Sequence, residues 1–401
     1  VVFILTSCQS EPNLPKFKVM DTLSKNGGEP NLFVSERDEV FLSWVEYLND
    51  TTDALVYSKL EGEQWSDTVE IARGSNWFVN WADFPSLVGY KDGGLRFAAH
   101  YLQKSAEGTY DYDIHVIQSQ DQGMIFSKPF ILHRDSIAAE HGFVTLLPIA
   151  NDRIFATWLD GRNTKVSESA KEENKHGHGS GGAMTLRGAE FDIGGHYFEE
   201  AELDNRICDC CQTDAALTSD GVIVVYRDRS EHEIRDISIV RRVNKEWTKP
   251  HTVHADNWEI SGCPVNGPSV DAIDSTVAVV WYTAANGKPT IKISFSEDSG
   301  ATFNSPIKVD NGNPLGRVDV VLISKEKAVI TWVENTESMA EIRAVGVQIN
   351  GTMGEDYLLT ETSPARNSGF PKLKKTDTNL YLAWTEVDSV LTRVKTLKWG
   401  F

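Results

Sequence analysis

Short hydrophobic runs, each closing on an aromatic or imidazole side chain, recur along the chain. They end at Trp44, His100, Trp158, Tyr226, Trp281, Trp332 and Trp384, between 51 and 68 residues apart. Before each run stands a short stretch opened by a proline, glycine or small residue (Pro85-Ser86-Leu87, Pro268-Ser269-Val270, Pro371-Lys372-Leu373). After each stand two further strand-like runs, such as residues 291–296 and 307–309. Helical periodicity is nowhere sustained and turn residues recur every 8 to 12 positions or so, which predicts an all-β chain built from a repeated four-stranded unit.

Units of this size are the blades of a β-propeller, and seven markers predict seven blades; six follow if one marker is spurious. The ends of the chain bear on the count. The last unit, residues 369–401, supplies only three strands, and residues 17–21 form a strand with no unit of their own. An N-terminal strand completing the last blade closes the ring and removes two open edges.

Two turns between third and fourth strands share one pattern. Ser119, Asp121, Gly123 and Phe126 fit S-x-D-x-G-x-x-aromatic, as do Ser296, Asp298, Gly300 and Phe303, while Ser58, Gly62 and Trp65 keep part of it. The pattern resembles the Asp-box (BNR) repeat of sialidase-like propellers. Its mechanics are local: the carboxylate accepts turn amides, the glycine takes positive φ and the aromatic wedges between sheets. Such boxes speak for a fold and say little about chemistry.

Composition adds the setting. A formal charge of −19 lacks the basic footprint that a nucleic-acid partner requires. Residues 1–8 form a short apolar run ending in Leu5-Thr6-Ser7-Cys8, which resembles a bacterial lipobox with Cys8 as the lipidated residue. The expected organisation is therefore a signal remnant, lipobox and tether over 1–15 and a single propeller domain over 16–401. The expected location is the bacterial outer membrane, facing the periplasm or the surface, in an oxidising compartment.

Loops entering the first strand and leaving the second strand of each blade share one face, and here that mouth is rich in ionisable and aromatic residues. Three constellations compete there. The resemblance to sialidases implies arginines holding a carboxylate beside acidic groups, with Arg162, Arg227, Arg229, Arg235, Arg317 and Arg366 as candidates and Asp160, Asp228 and Glu231 as acids. The family's Arg-Ile-Pro motif is absent, and no Tyr–Glu pair can be placed. Second, Cys208, Cys210 and Cys211 open one unit and Cys263 the next; a shift of 52 residues aligns Cys211 with Cys263. The readings are two disulfides, a copper or zinc thiolate site, or a Cys208/Cys211 redox pair. Third, His176 and His178 lie in the longest loop, either a solvated segment or a metal-binding one.

The leading expectation is a cell-envelope lipoprotein that recognises a glycan or protein partner at the mouth, with no required cofactor. The alternatives are an exo-sialidase-like glycoside hydrolase and a copper- or zinc-handling lipoprotein.

Overall fold

The computed structural model describes residues 15–93, 96–165 and 182–401. Cys8, His176 and His178 lie outside the described residues. The described strands form seven antiparallel sheets. Counting from the N-terminus, the innermost strands are Gly27–Val34, Ser86–Gly89, His141–Ala150, Asp214–Leu217, Ser269–Ile273, Pro314–Ser324 and Lys372–Lys375. Each packs against the innermost strand of the next blade and the seventh against the first, which closes a seven-bladed propeller. The only helical pieces among the described residues are short 3-10 turns.

Closure follows the sequence expectation. Lys18–Asp21 adds to the outer edge of blade 7 beside Thr392–Gly400, pairing Val19 with Leu397 and Met20 with Thr396. The Thr396 hydroxyl donates to Met20 O (2.9 Å) and accepts from Trp65 Nε1 (2.9 Å), tying blade 1 to the seam.

The core is divided as the repeat demands. Seven hydrophobic clusters each fill one interface between neighbouring blades. The marker aromatics lie in these interfaces, with Trp44, Trp158, Trp281 and Trp332 among the largest fully buried side chains. An indole cannot be buried cheaply with its N–H unpaired. Trp44 donates to Glu46 (2.7 Å), Trp158 to Asp160 (2.9 Å) and Trp332 to Glu334 (2.7 Å), each two residues on and so on the same face of its strand. Trp281 uses Asp256 instead (2.7 Å).

Around the axis, aspartates fasten one inner strand to the next. Asp214 accepts the Val270 amide (2.8 Å), Asp271 that of Leu322 (2.7 Å) and Asp319 that of Leu373 (2.7 Å). Ser269 Oγ bridges Asp214 and Asp319 (3.0 and 2.8 Å). Lys372 and Lys374 line the same central cavity and offset the carboxylates.

At the two matching turns Asp121 Oδ1 accepts the Ile125 amide (2.9 Å) and Asp298 Oδ1 that of Thr302 (2.8 Å), while Ser119 and Ser296 accept from Gly123 and Gly300 (3.0 and 2.9 Å). Both glycines have φ near +80°. The Gly123 turn also packs so closely on Tyr57 that a Cβ there would lie 2.1 Å from its hydroxyl.

Candidate functional site: the loop-rich mouth

Loops from four blades meet over one end of the axis. The segment before blade 2 lays Trp81, Ala82 and Phe84 across the opening, where Trp81 stacks on Phe370 of the loop entering blade 7 (5.6 Å, 17°). Gln212, entering blade 4, donates to Ala82 O (2.6 Å) and accepts from the Gly267 amide at blade 5 (3.0 Å). A Cβ on Gly267 would lie 2.0 Å from Gln212 O, so glycine is what lets these two loops touch. Together these groups form a plug continuous with the core between blades 3 and 4.

Beside the plug lie the cysteines. The loop that carries them is pinned from below, with Ile207 N donating to Met184 O (3.0 Å) and Cys208 N to Arg227 O (3.0 Å). Cys208 Sγ stands 3.2 Å from Cys211 Sγ and 3.9 Å from Cys210 Sγ, and the Cys263 thiol faces that of Cys210. Cys208 and Cys211 are buried, Cys210 is half-buried and Cys263 is exposed. The two-disulfide expectation is not met: all four are free thiols, and the separations given exceed the roughly 2.05 Å of an S–S bond. The register also revises the alignment of the units. Asp214 pairs with Val225 and Ser269 with Val280, an offset of 55, so Cys263 corresponds to Cys208 and Asn266 to Cys211.

Hydrogen bonds from Cys210 and Cys211, together with the Arg235 guanidinium, hold the Cys208 thiol well below its ordinary range. Burial and the neighbouring Cys208 push Cys211 up. The cluster thus favours a thiolate at Cys208.

The candidate arginines are mostly committed to the protein itself. Arg227 is 2% exposed and donates to the carbonyls of Asn266, Arg235 and Tyr282 (2.9, 2.6 and 2.6 Å). Arg229 pairs with Glu233 and Asp209 (2.7 and 3.0 Å), and Arg235 with Glu233 and Cys208 Sγ (2.8 and 3.2 Å). Arg162 forks onto Asp160 (2.7 and 2.6 Å) and reaches Asp135 and Glu200. Arg317 is buried and donates to Ser368 Oγ (2.5 Å) and Ala365 O (3.1 Å); burial alone lowers it to about 10. Arg366 is the exposed guanidinium among them, 6.0 Å over Trp81.

The acids divide similarly. Asp160 is fully buried under Trp158 and Arg162, and Asp228 accepts from the Arg229 amide and Ser238 (2.6 and 3.1 Å) while burial lifts it to about 6. Glu231 is exposed.

Two groupings escaped the sequence reading. Tyr112 Oη stands 2.9 Å from Asp83 Oδ2 and 3.1 Å from Glu140 Oε1. A Tyr–Glu pair is therefore present, but Tyr112 is fully buried beneath Phe78 (4.0 Å, 11°), with no path for a sugar carbon to its oxygen. Burial raises Asp83 to about 7, and burial with the Asp83 charge raises Glu140 to about 8. The second grouping is His133 and His141, stacked at 3.6 Å and 3° within Asp113, Asp135 and Asp160. Neither left a sequence signal: Tyr112 and Asp113 open a third strand, and the His133 loop belongs to no repeated pattern.

No family model matches the chain, and no curated protein matches it. Similar solved structures include a protein of unknown function from Dyadobacter fermentans (12% identity, 96% of this chain and 98% of that one, TM-score 0.53). They also include the polysaccharide lyase Uly1 (10%, 98% and 94%, TM-score 0.51) and an intramolecular trans-sialidase from Ruminococcus gnavus (10%, 93% and 94%, TM-score 0.47). At these identities the likeness to the first two concerns the fold alone.

Proposed function

We propose that the protein is a cell-envelope propeller lipoprotein, tethered through Cys8, that recognises an acidic glycan at its mouth. One observation carries the reading. Half-buried Trp77, Phe78 and Trp81 crowd one loop of the mouth, and Trp81 presents its ring beside Arg317 and the exposed Arg366 (5.3 and 6.0 Å). Aromatic faces pack against the apolar faces of sugar rings, and a guanidinium in reach suits a carboxylate or sulfate substituent. A polysaccharide lyase with a similar fold is in keeping with a polysaccharide ligand. Binding is favoured over hydrolysis because Arg162, Arg227, Arg229, Arg235 and Arg317 already serve internal acceptors.

The test is a polysaccharide binding panel with acidic and neutral members. Retention of acidic polymers, weakened by Arg366→Ala and lost with Trp81→Ala, supports the reading. Equal indifference to every polymer overturns it and leaves a protein partner as the ligand class. Turnover of a fluorogenic sialoside would restore the hydrolase alternative. Fatty-acid labelling that disappears with Cys8→Ser tests the tether.

A further inference from the structure

Cys208, Cys210 and Cys211 offer three sulfurs that all lie within 4.8 Å of one another, and Cys263 meets Cys210 from the next blade. We propose that this cluster is a thiolate site for a thiophilic closed-shell ion, zinc(II) or copper(I), with Cys208, Cys210 and Cys211 as ligands and Cys263 as the outer, fourth donor.

The spacing is the first argument. Metal–sulfur bonds of about 2.3 Å at tetrahedral angles place sulfurs roughly 3.8 Å apart. The 3.9 Å separation of Cys208 from Cys210 matches that, and the 3.2 Å one from Cys211 is shorter yet well beyond a covalent S–S bond. The donor set is the second. Among the described residues no imidazole or carboxylate joins the three sulfurs, a composition that selects soft ions over magnesium or calcium.

Charge is the third. Several thiolates around one ion leave excess negative charge in a buried place. Arg235 Nη1 lies 3.2 Å from Cys208 Sγ, the Cys210 amide donates to the same sulfur, and the Arg227 charge acts on Cys211. Donors to ligand sulfurs and nearby cations are what such a site needs around it. Rigidity and access complete the case: the loop is pinned at Ile207, Cys208 and Gln212, while exposed Cys263 marks the way in. Binding releases the thiol protons to solvent and changes no oxidation state.

The stacked histidines are a weaker candidate. An imidazole holds a metal in its own ring plane, and two parallel planes 3.6 Å apart share no such point.

The test uses the full chain with Cys8→Ser, so that four thiols remain. Reduced, metal-free protein is titrated anaerobically with cobalt(II) as a zinc probe, with zinc(II), and with copper(I) against a chromophoric chelator. About one ion per chain with sulfur-to-cobalt charge-transfer bands is expected, and the two affinities decide between zinc and copper. Cys211→Ser should abolish the bands. Cys263→Ser, at an exposed position, should weaken binding with the fold unchanged by circular dichroism. Arg235→Lys should weaken it roughly 10- to 100-fold. No charge-transfer band with cobalt and no uptake of copper(I) overturns the proposal. So does a Cys208–Cys211 disulfide found by mass spectrometry in protein isolated from its own compartment.

Discussion

Arg235 and Cys208 touch, guanidinium nitrogen to sulfur at 3.2 Å, although 27 residues separate them and both are almost fully buried. Two of the features most suggestive of function in the sequence, the arginine run and the cysteine motif, are thus parts of one structure. In reduced, metal-free protein, Arg235→Ala should raise the Cys208 thiol toward the ordinary range. A rise of one unit moves the midpoint of the thiolate titration up by one pH unit. An ultraviolet thiolate titration that does not move would show that the pair has no electrostatic consequence.

The pH dependence of stability follows from the buried carboxyls. Asp83 and Glu140 have folded-state values of about 7 and about 8, and Glu29, buried beneath Tyr47, about 7. Unfolded, such groups titrate near 4. Between these limits the native state holds protons that the unfolded state has released, so this contribution is complete below pH ~4 and is lost as pH rises through ~8. Thermal scans from pH 5 to 8.5 should show a falling melting temperature. Asp83→Asn and Glu140→Gln should each flatten the slope, and a slope unchanged in both would remove the assignment.

The inner-strand aspartates make a sharper claim on stability. Asp319 accepts from Leu373 N, Val320 N and Ser269 Oγ, linking three blades. Asp319→Ala strands these buried donors and should cost about 2–4 kcal/mol in urea unfolding. Asp319→Asn keeps acceptor capacity and should cost less. Equal loss in both variants would point to the charge facing Lys374 instead.

How far the sequence reaches can be seen at single residues. The markers are legible because an interface between blades takes one large aromatic at a fixed strand position, and Lys18–Asp21 is legible because a three-stranded last blade leaves an edge. Asp160 looks like a mouth acid in the sequence, yet it follows Trp158 by two residues and is consumed by that indole, as Glu334 is by Trp332. A Trp-x-acid repeat is visible in the sequence and could have revealed this. Offsetting the units by cysteines instead of strands misplaced Cys263 by three positions, because the loop between blades 4 and 5 sets its own length. Pairings such as Tyr112 with Glu140, or His133 with His141, arise where separate blades meet and leave no pattern in either segment alone.

Arg317 offers a way to tell an architectural arginine from a recognising one. It has φ +55°, an unusual conformation for a long side chain, and its guanidinium ties the mouth of blade 6 to Ser368 and Ala365 while lying over Trp81. A guanidinium held out for a ligand's carboxylate would be nearly silent in stability when replaced. One that holds the buried Ser368 hydroxyl and a partly buried carbonyl gives up those contacts when replaced, at about 1–3 kcal/mol. Arg317→Met should therefore lower the unfolding midpoint and loosen Trp81, read as a change in near-ultraviolet circular dichroism, whereas Arg366→Ala leaves both unchanged. If Arg317→Met instead kept full stability and lost only polysaccharide retention, Arg317 would be reassigned from the frame of the mouth to its ligand.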